Sequence, residues 1–203
     1  MRIGIMGGTF NPPHMGHINA ARSAQSELKL DRIIFIPAGI PPHKEMAENS
    51  ANAQDRLNMA CLAAKCIGAE VSDIEISRHG KSFTVDTLKE LKRMYADSEL
   101  WLIMGTDMFL SLETWREPQT IFSLASIAAV PRNEKDIKKL SEHGKILYEK
   151  YGAVSRIIDA PVVTISSSEL RPDISSSELS GFLPDEVYEY IVSHHLYGIS
   201  EGR

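Results

Sequence analysis

Cysteine is nearly missing from this 203-residue chain: there are two, Cys61 and Cys66, five positions apart inside the apolar stretch NMACLAAKC. So few thiols exclude a disulfide-built scaffold and a cysteine-rich metal module, and the pair reads as packing on the buried face of a helix. Long apolar runs are absent too. No stretch of about 18 apolar residues is present to cross a bilayer, and the opening MRIGIMGGTF lacks the hydrophobic region of a signal peptide, so a soluble, cytoplasmic protein with no membrane partner is expected. Nor is there a basic excess. Lys and Arg number 22 against 27 Asp and Glu, a net charge of -5, which argues against a nucleic-acid coat and leaves room for a local groove that binds a small anion. There is no low-complexity tract and no solenoid period. The one internal repetition is ISSSEL, at Ile165 to Leu170 and again at Ile174 to Leu179.

What is present suffices for one sizeable core: 43% of the residues are hydrophobic. The simplest organisation is a single domain over 1–203, with a small C-terminal helical part from about 165 onward. Short apolar strands alternate with helical patterns. RIGIM leads into a helix from Gly16 to Leu28 with Ile18, Ala21, Gln25 and Leu28 on one stripe. RIIFIP leads into a helix from Asn52 to Cys66 with Leu57, Cys61 and Ala64 on one face, and Arg56 reads as a surface residue of that helix. EVSDIEI, LWLIMG, SIAAVP, VSRII and APVVTIS read as further strands. Between them fall TVDTLKELKRMYAD, short helices around Asp107 to Leu112 and Glu117 to Leu124, and a solvated Lys- and Glu-rich helix between Arg132 and Tyr151. Pro184, Asp185 and Glu186 open a last helix. Strands separated by helices of this length imply right-handed parallel crossovers, hence an α/β fold with a doubly wound, mainly parallel sheet.

The densest chemistry is at the first strand-to-helix turn, GIMGGTFNPPHMGHINAA. The carboxyl ends of strands in an open parallel sheet form the ligand crevice, and a glycine turn there lets backbone N–H groups and a helix N-terminus face an anion. The dinucleotide fingerprint GxGxxG is absent, and so is the lysine-bearing loop GxxxxGK[ST]. His14 and His17 take their place. Three residues apart near a helix start, they can point into one space as two protonatable donors for phosphoryl oxygens. One could equally cap the turn while the other packs. A metal pair is disfavoured because no third Cys, His, Asp or Glu completes the spacing.

GGTFNPPHMGH resembles the signature of the nucleotidyltransferase superfamily that carries the HxGH motif, and the wider pattern closely resembles its bacterial nicotinate mononucleotide adenylyltransferase family. IPAGIPPHK, QDRLNMACLA, KSFTVDTL, IMGTDMFLSLETW, ISSSELR and VYEYIVSHHLY match that family in order, so the resemblance spans nearly the whole chain. It implies a Rossmann-like nucleotidyltransferase fold and transfer of AMP from ATP to nicotinate mononucleotide, with Mg²⁺ carried in on ATP and no protein metal site. Residue by residue, it implies catalytic roles for His14, His17 and Arg171. ATP would be bound by Gly8, Thr9, Phe10, His14, His17, Gly105, Asp107, Ile165, Ser166, Ser167, Ser168 and Arg171. Nicotinate mononucleotide would be bound by Lys44, Thr84 and Trp115. Asp107 could also be an N-cap, Trp115 core, and Ser166 with Glu169 a capping box. Other phosphate acceptors, nicotinamide mononucleotide or phosphopantetheine, and a silent nucleotide sensor are the rival functions; homo-oligomerisation is left open. The second ISSSEL has Ser180 where the first has Arg171, lacks the cation of an anion site, and reads as local structure.

Overall fold

A computed structural model describes residues 1–41, 46, 49–78, 80–161, 165–174 and 181–199. The strands β1 (Arg2–Gly8), β2 (Arg32–Pro37), β3 (Glu70–Val71), β4 (Glu99–Gly105), β5 (Ser126–Val130) and β6 (Ser155–Ile157) form one sheet in the order β3-β2-β1-β4-β5-β6. Every pairing is parallel. Their near-continuous Ile, Leu, Val and Phe runs have this cause, since a parallel sheet is covered on both faces. Strand order reverses between β1 and β4, and at such a switch point the crossover connections diverge and leave a crevice at the carboxyl ends.

Alternation along the strands sorts two cores. Ile3, Ile5, Ile34, Ile36, Leu100 and Leu102 face α4 (Thr84–Met94), α5 (Thr106–Ser111), α6 (Pro118–Leu124) and α7 (Glu134–Tyr151). Met6, Ile33, Phe35, Trp101 and Ile103 face α1 (Met15–Leu28) and α2 (Ala53–Lys65). A third cluster lies outside the α1–α2 layer. There Ile18, Met59 and Ala63 meet Leu170 of α8 (Ser167–Leu170), Leu183, and Val187 and Ile191 of α9 (Asp185–Ser193). The C-terminal helical part thus rests on the two helices nearest the β1–α1 turn.

The doubly wound parallel architecture is as the alternation implies; three local expectations are corrected. The buried residues of α1 are Ile18, Ala21, Ala24 and Leu28, with Ala24 in place of Gln25, whose amide stays partly in water. On α2 the buried face is Arg56, Met59, Ala60, Ala63 and Ala64, while Leu57 is half-buried and both cysteines are exposed. NMACLAA is apolar nearly all round and offers no unique stripe. The helix turns its alanines inward, which allows closer approach to the sheet than Leu or Cys would. EVSDIEI pairs only through Glu70–Val71. Ser72 then accepts the Ile74 N–H and Asp73 the Ser77 hydroxyl, and this local bonding turns the chain into α3 (Ile74–Ser77).

Gly4 in β1 is fixed by close approach: a Cβ there would lie 2.6 Å from Ile33 Cδ1, 2.7 Å from Leu30 Cδ1 and 3.0 Å from Ile103 Cδ1. Gly4→Ala is expected to cost about 1 to 3 kcal/mol by overpacking. Ile33→Val removes one of those methyls, so in urea unfolding the double variant should be more stable than the sum of the single changes predicts.

Candidate active site

The segment after β1 is held by side chains that leave it little freedom. Phe10 is fully buried and stacks on Phe35 at 5.3 Å, with its backbone in the left-handed region at φ 47°. A non-glycine residue there stores roughly 1 to 3 kcal/mol and persists only where neighbours enforce it. Asn11, 3% exposed, is the junction of four segments. Its Nδ2 donates to Ser50 Oγ at 2.9 Å, and its Oδ1 accepts from Ala51 N at 3.1 Å and from the Tyr197 hydroxyl at 2.8 Å. Its backbone carbonyl accepts from Arg171 Nη1 at 2.8 Å.

His14 is the N-cap of α1. Its Nδ1 accepts the Gly16 N–H at 3.1 Å, while the His14 N–H donates to His17 Nδ1 at 3.2 Å. Each imidazole has spent its Nδ1 lone pair on a backbone donor, so in both rings the proton is assigned to Nε2. The rings lie 4.0 Å apart between centroids, and Phe10 packs 5.1 Å from His17. Burial, then the nearby Arg132 charge, lowers the His14 pKa from 6.5 to about 4. Burial, then His14 itself, holds His17 well below the usual imidazole range. Near neutral pH the pair is therefore two neutral Nε2–H donors, which differs from the protonatable donors that the spacing alone suggests. A second correction concerns the helix start. Met15 N–H goes to Phe182 O at 2.8 Å, Gly16 N–H to His14, and His17 N–H to His14 O at 2.9 Å. The first-turn N–H groups of α1 are occupied, and the donors left for a ligand are the imidazoles at the positive end of the helix.

The first ISSSEL is brought to the same turn. Ser166 caps α8 with Glu169 in a reciprocal capping box, so the structural role weighed for this pair is realised. Ser167 Oγ donates to Pro12 O at 2.8 Å, Ser168 Oγ is 3.0 Å from Ser166 Oγ, and Ile165 packs on the third core. Arg171 Nη1 bridges Asn11 O and Ser167 O. A guanidinium carries five N–H donors, more than these carbonyls take up. Of the second copy only Ile174, buried in the third core, is among the described residues; 175–180 lie outside them.

The opposite wall is the end of β4. Gly105 is the N-cap of α5 and Asp107 lies in its first turn, so Asp107 is not the cap. Exposed Asp107 pairs with Arg132 at 2.9 Å. Behind them buried Asp136 accepts from Thr106 Oγ1 at 2.9 Å and Arg132 N at 3.1 Å, tying the start of α5 to the start of α7. Asp136 was invisible in a helix that reads as solvated; only its position three after the N-cap Asn133 hinted at it.

Thr84 opens α4 after Phe83, an N-cap with no side-chain acceptor. Phe83 and Trp115 are both partly buried against the first core, and Trp115 Nε1 donates to Ser111 Oγ at 3.3 Å. They lie on the far side of the sheet from α1 and α2. Lys44 lies outside the described residues. Arg56 is the residue that sequence reasoning misplaced: it is 2% exposed, beneath the β1 and β2 ends.

A doubly wound parallel α/β sheet with an HxGH turn at its switch point is the arrangement of a nucleotidyltransferase class of protein. The cytidylyltransferase-like family model matches residues 5–180, and the chain belongs to that family. Among its relatives, a Desulfitobacterium hafniense protein named "Probable nicotinate-nucleotide adenylyltransferase" is 40% identical over 200 residues, covering 98% of this chain and 96% of that one. A Neisseria meningitidis protein of the same name is 37% identical over 202 residues, covering 97% and 98%. A solved Plasmodium falciparum nicotinic acid mononucleotide adenylyltransferase complexed with NaAD has the same fold, with a TM-score of 0.74, 18% identity and 99% coverage of both chains.

The depressed imidazole pKa values give a pH dependence of stability with a definite sign. Below pH 6.5 the unfolded chain takes up protons that the folded histidines refuse, so stability is full above that value and is lost as pH falls toward about 4. His14 alone accounts for a loss on the order of 3 kcal/mol across this window. Urea unfolding at a series of pH values checks it: His14→Asn, which keeps a capping acceptor, should flatten the slope between pH 6.5 and 4.

Proposed function

We propose that the chain transfers AMP from ATP to nicotinate mononucleotide, releasing pyrophosphate and forming nicotinate adenine dinucleotide, the reaction of a nicotinate-nucleotide adenylyltransferase in NAD synthesis. The observation that carries this reading is the pair of neutral Nε2–H donors at the β1–α1 turn, with the first ISSSEL and Arg171 bonded directly onto the same loop. The relatives' names agree with it.

An acceptor phosphate is already ionised near neutral pH, so no protein nucleophile and no strong base is needed. One of its oxygens attacks the α-phosphorus of ATP as the bond to the β-phosphate oxygen breaks, and pyrophosphate leaves with the electron pair. The chain's task is alignment and charge stabilisation. In this reading His17 donates to the α-phosphate oxygens as charge builds, His14 to the adjacent phosphates, and the backbone of Gly8, Thr9 and Phe10 lines the same channel. Ser166, Ser167, Ser168 and Arg171 hold the leaving pyrophosphate, the guanidinium acting as a fork. Gly105 and Asp107 hold the adenylate ribose, for which Asp107 exchanges its Arg132 partner. Ile165 completes the nucleotide wall.

On the acceptor side, Trp115 stacks on the pyridine ring and Lys44 reaches a phosphate. The first-turn N–H groups of α4, around Thr84, read the nicotinate carboxylate; the lack of a side-chain cap at Phe83 supports that role. No group of three His, Cys, Asp or Glu side chains among the described residues could cage an ion. A divalent cation that travels on the ATP phosphates and keeps several waters suits such a site, and when bound it neutralises phosphate charge. Mg²⁺ is the ion proposed. The chain acts as one nucleotidyltransferase domain, its C-terminal helical part carrying Arg171 to the turn.

Pyrophosphate release measured with ATP and, in turn, nicotinate mononucleotide, nicotinamide mononucleotide and phosphopantetheine tests the reading. Turnover should be fastest with nicotinate mononucleotide; no turnover with either pyridine nucleotide would sink the proposal. His17→Ala should lower kcat by about 10²- to 10³-fold, the usual effect of losing one such donor.

A further inference from the structure

Arg56 lies on the inner face of α2, where a leucine would be the ordinary choice. Its Nη1 donates to Thr9 O at 2.9 Å and to Ala38 O at 2.6 Å, and its Nη2 to Gly39 O at 3.1 Å. Its Nε is buried without a partner, and among the described residues it forms no ion pair. Burying a cation against neutral partners alone is costly. Its acceptors share one property: all are carbonyls at the carboxyl ends of β1 and β2, under the candidate phosphate site.

A trans peptide points its C=O and N–H in opposite directions. Where Arg56 draws a carbonyl inward, the next N–H is turned the other way. The second of its peptides demonstrates this. Ala38 O faces Arg56, and the Gly39 N–H emerges opposite to bond Ser82 Oγ at 3.0 Å. The close approach there needs glycine, since a Cβ on Gly39 would sit 2.3 Å from Glu75 O. At the first peptide, the inward Thr9 carbonyl turns the Phe10 N–H away from Arg56. Phe10 is the residue held at positive φ, a conformation that a fixed neighbouring peptide helps to enforce.

We propose that Arg56 is a positioning residue for phosphate recognition: it fixes the Thr9–Phe10 peptide so that the Phe10 N–H is presented to the oxygens of the bound triphosphate. The inference rests on the adenylyl-transfer reading. It assigns Arg56 an action through the loop, not contact with substrate. The fork matters more than the charge, because only a planar guanidinium spans three carbonyls.

Arg56→Lys keeps the charge and loses the fork; Arg56→Met loses both. With pyrophosphate release as the readout, both variants should lose about 10- to 100-fold in kcat, with the KM for nicotinate mononucleotide within about twofold of wild type. Thermal unfolding shows that each is folded at the assay temperature. A role confined to stability predicts a lower Tm with unchanged kcat, and Arg56→Lys within twofold of wild-type kcat would overturn the proposal. Should either variant fail to fold, the wild-type chain still decides: inorganic pyrophosphate should shift the Phe10 amide in ¹⁵N-resolved spectra, and an unmoved Phe10 amide overturns the proposal. Wild-type turnover is measured in the same assay, so its absence marks failure of the adenylyl-transfer reading and not of the loop geometry.

Discussion

Two backbone N–H groups, those of His14 and Gly16, donate into the Nδ1 atoms of His17 and His14. The helix start, the protonation state of both rings and the direction of their free N–H groups all follow from that exchange. An imidazole used as a cap cannot keep its proton on the capping nitrogen, so Nε2 carries it. Burial then removes the cationic form. Helix-terminus electrostatics amounts to about 0.3 to 1 kcal/mol, rising to about 2 in partly buried sites, whereas the His14 shift to about 4 corresponds to on the order of 3 kcal/mol against the charged ring. Both act against the imidazolium, desolvation the more strongly, and the site presents oriented dipoles in place of fixed charge.

Oriented dipoles need a rigid frame, and Asn11 is its joint. The β1–α1 turn, the segment before α2, the first ISSSEL and the C-terminal Tyr197 meet on one buried amide and its carbonyl. Such a network has value only when every member is satisfied, and the four bonds tie the turn to three other pieces of chain: Ser50 and Ala51, Arg171, and Tyr197. The third core has the same effect by packing: α9 and Leu183 press on α1 and α2, and Phe182 O receives the first N–H of α1. The C-terminal part thereby orders the turn from outside the sheet while its Arg171 reaches that turn from within.

The sheet was readable because parallel strands buried on both faces must be apolar throughout, and because glycines closed β1 where a crevice was required. The HxGH turn and the Ser166–Glu169 cap were readable for the same reason: local bonding rules act over three or four residues. Arg56 was not, since an arginine on a helix of mixed periodicity defaults to solvent, and nothing nearby in sequence announces three carbonyls converging from β1 and β2. Asp136 was hidden in a charge-rich helix whose other acids are solvated. The cysteines misled through their apolar neighbourhood, for NMACLAA gives no single inward direction. The twin hexapeptide resolves in one half: the first copy is both a helix cap and a contact to the turn, with Arg171 making the second role.

The central claim is that His14 and His17 stand ready as neutral donors through Nε2. Imidazole ¹⁵N chemical shifts of the ligand-free protein at pH 7 test it most directly. The structure predicts, for both rings, an unprotonated Nδ1 that accepts a hydrogen bond and a protonated Nε2. Imidazolium shifts, or a proton on Nδ1 of either ring, would contradict the account.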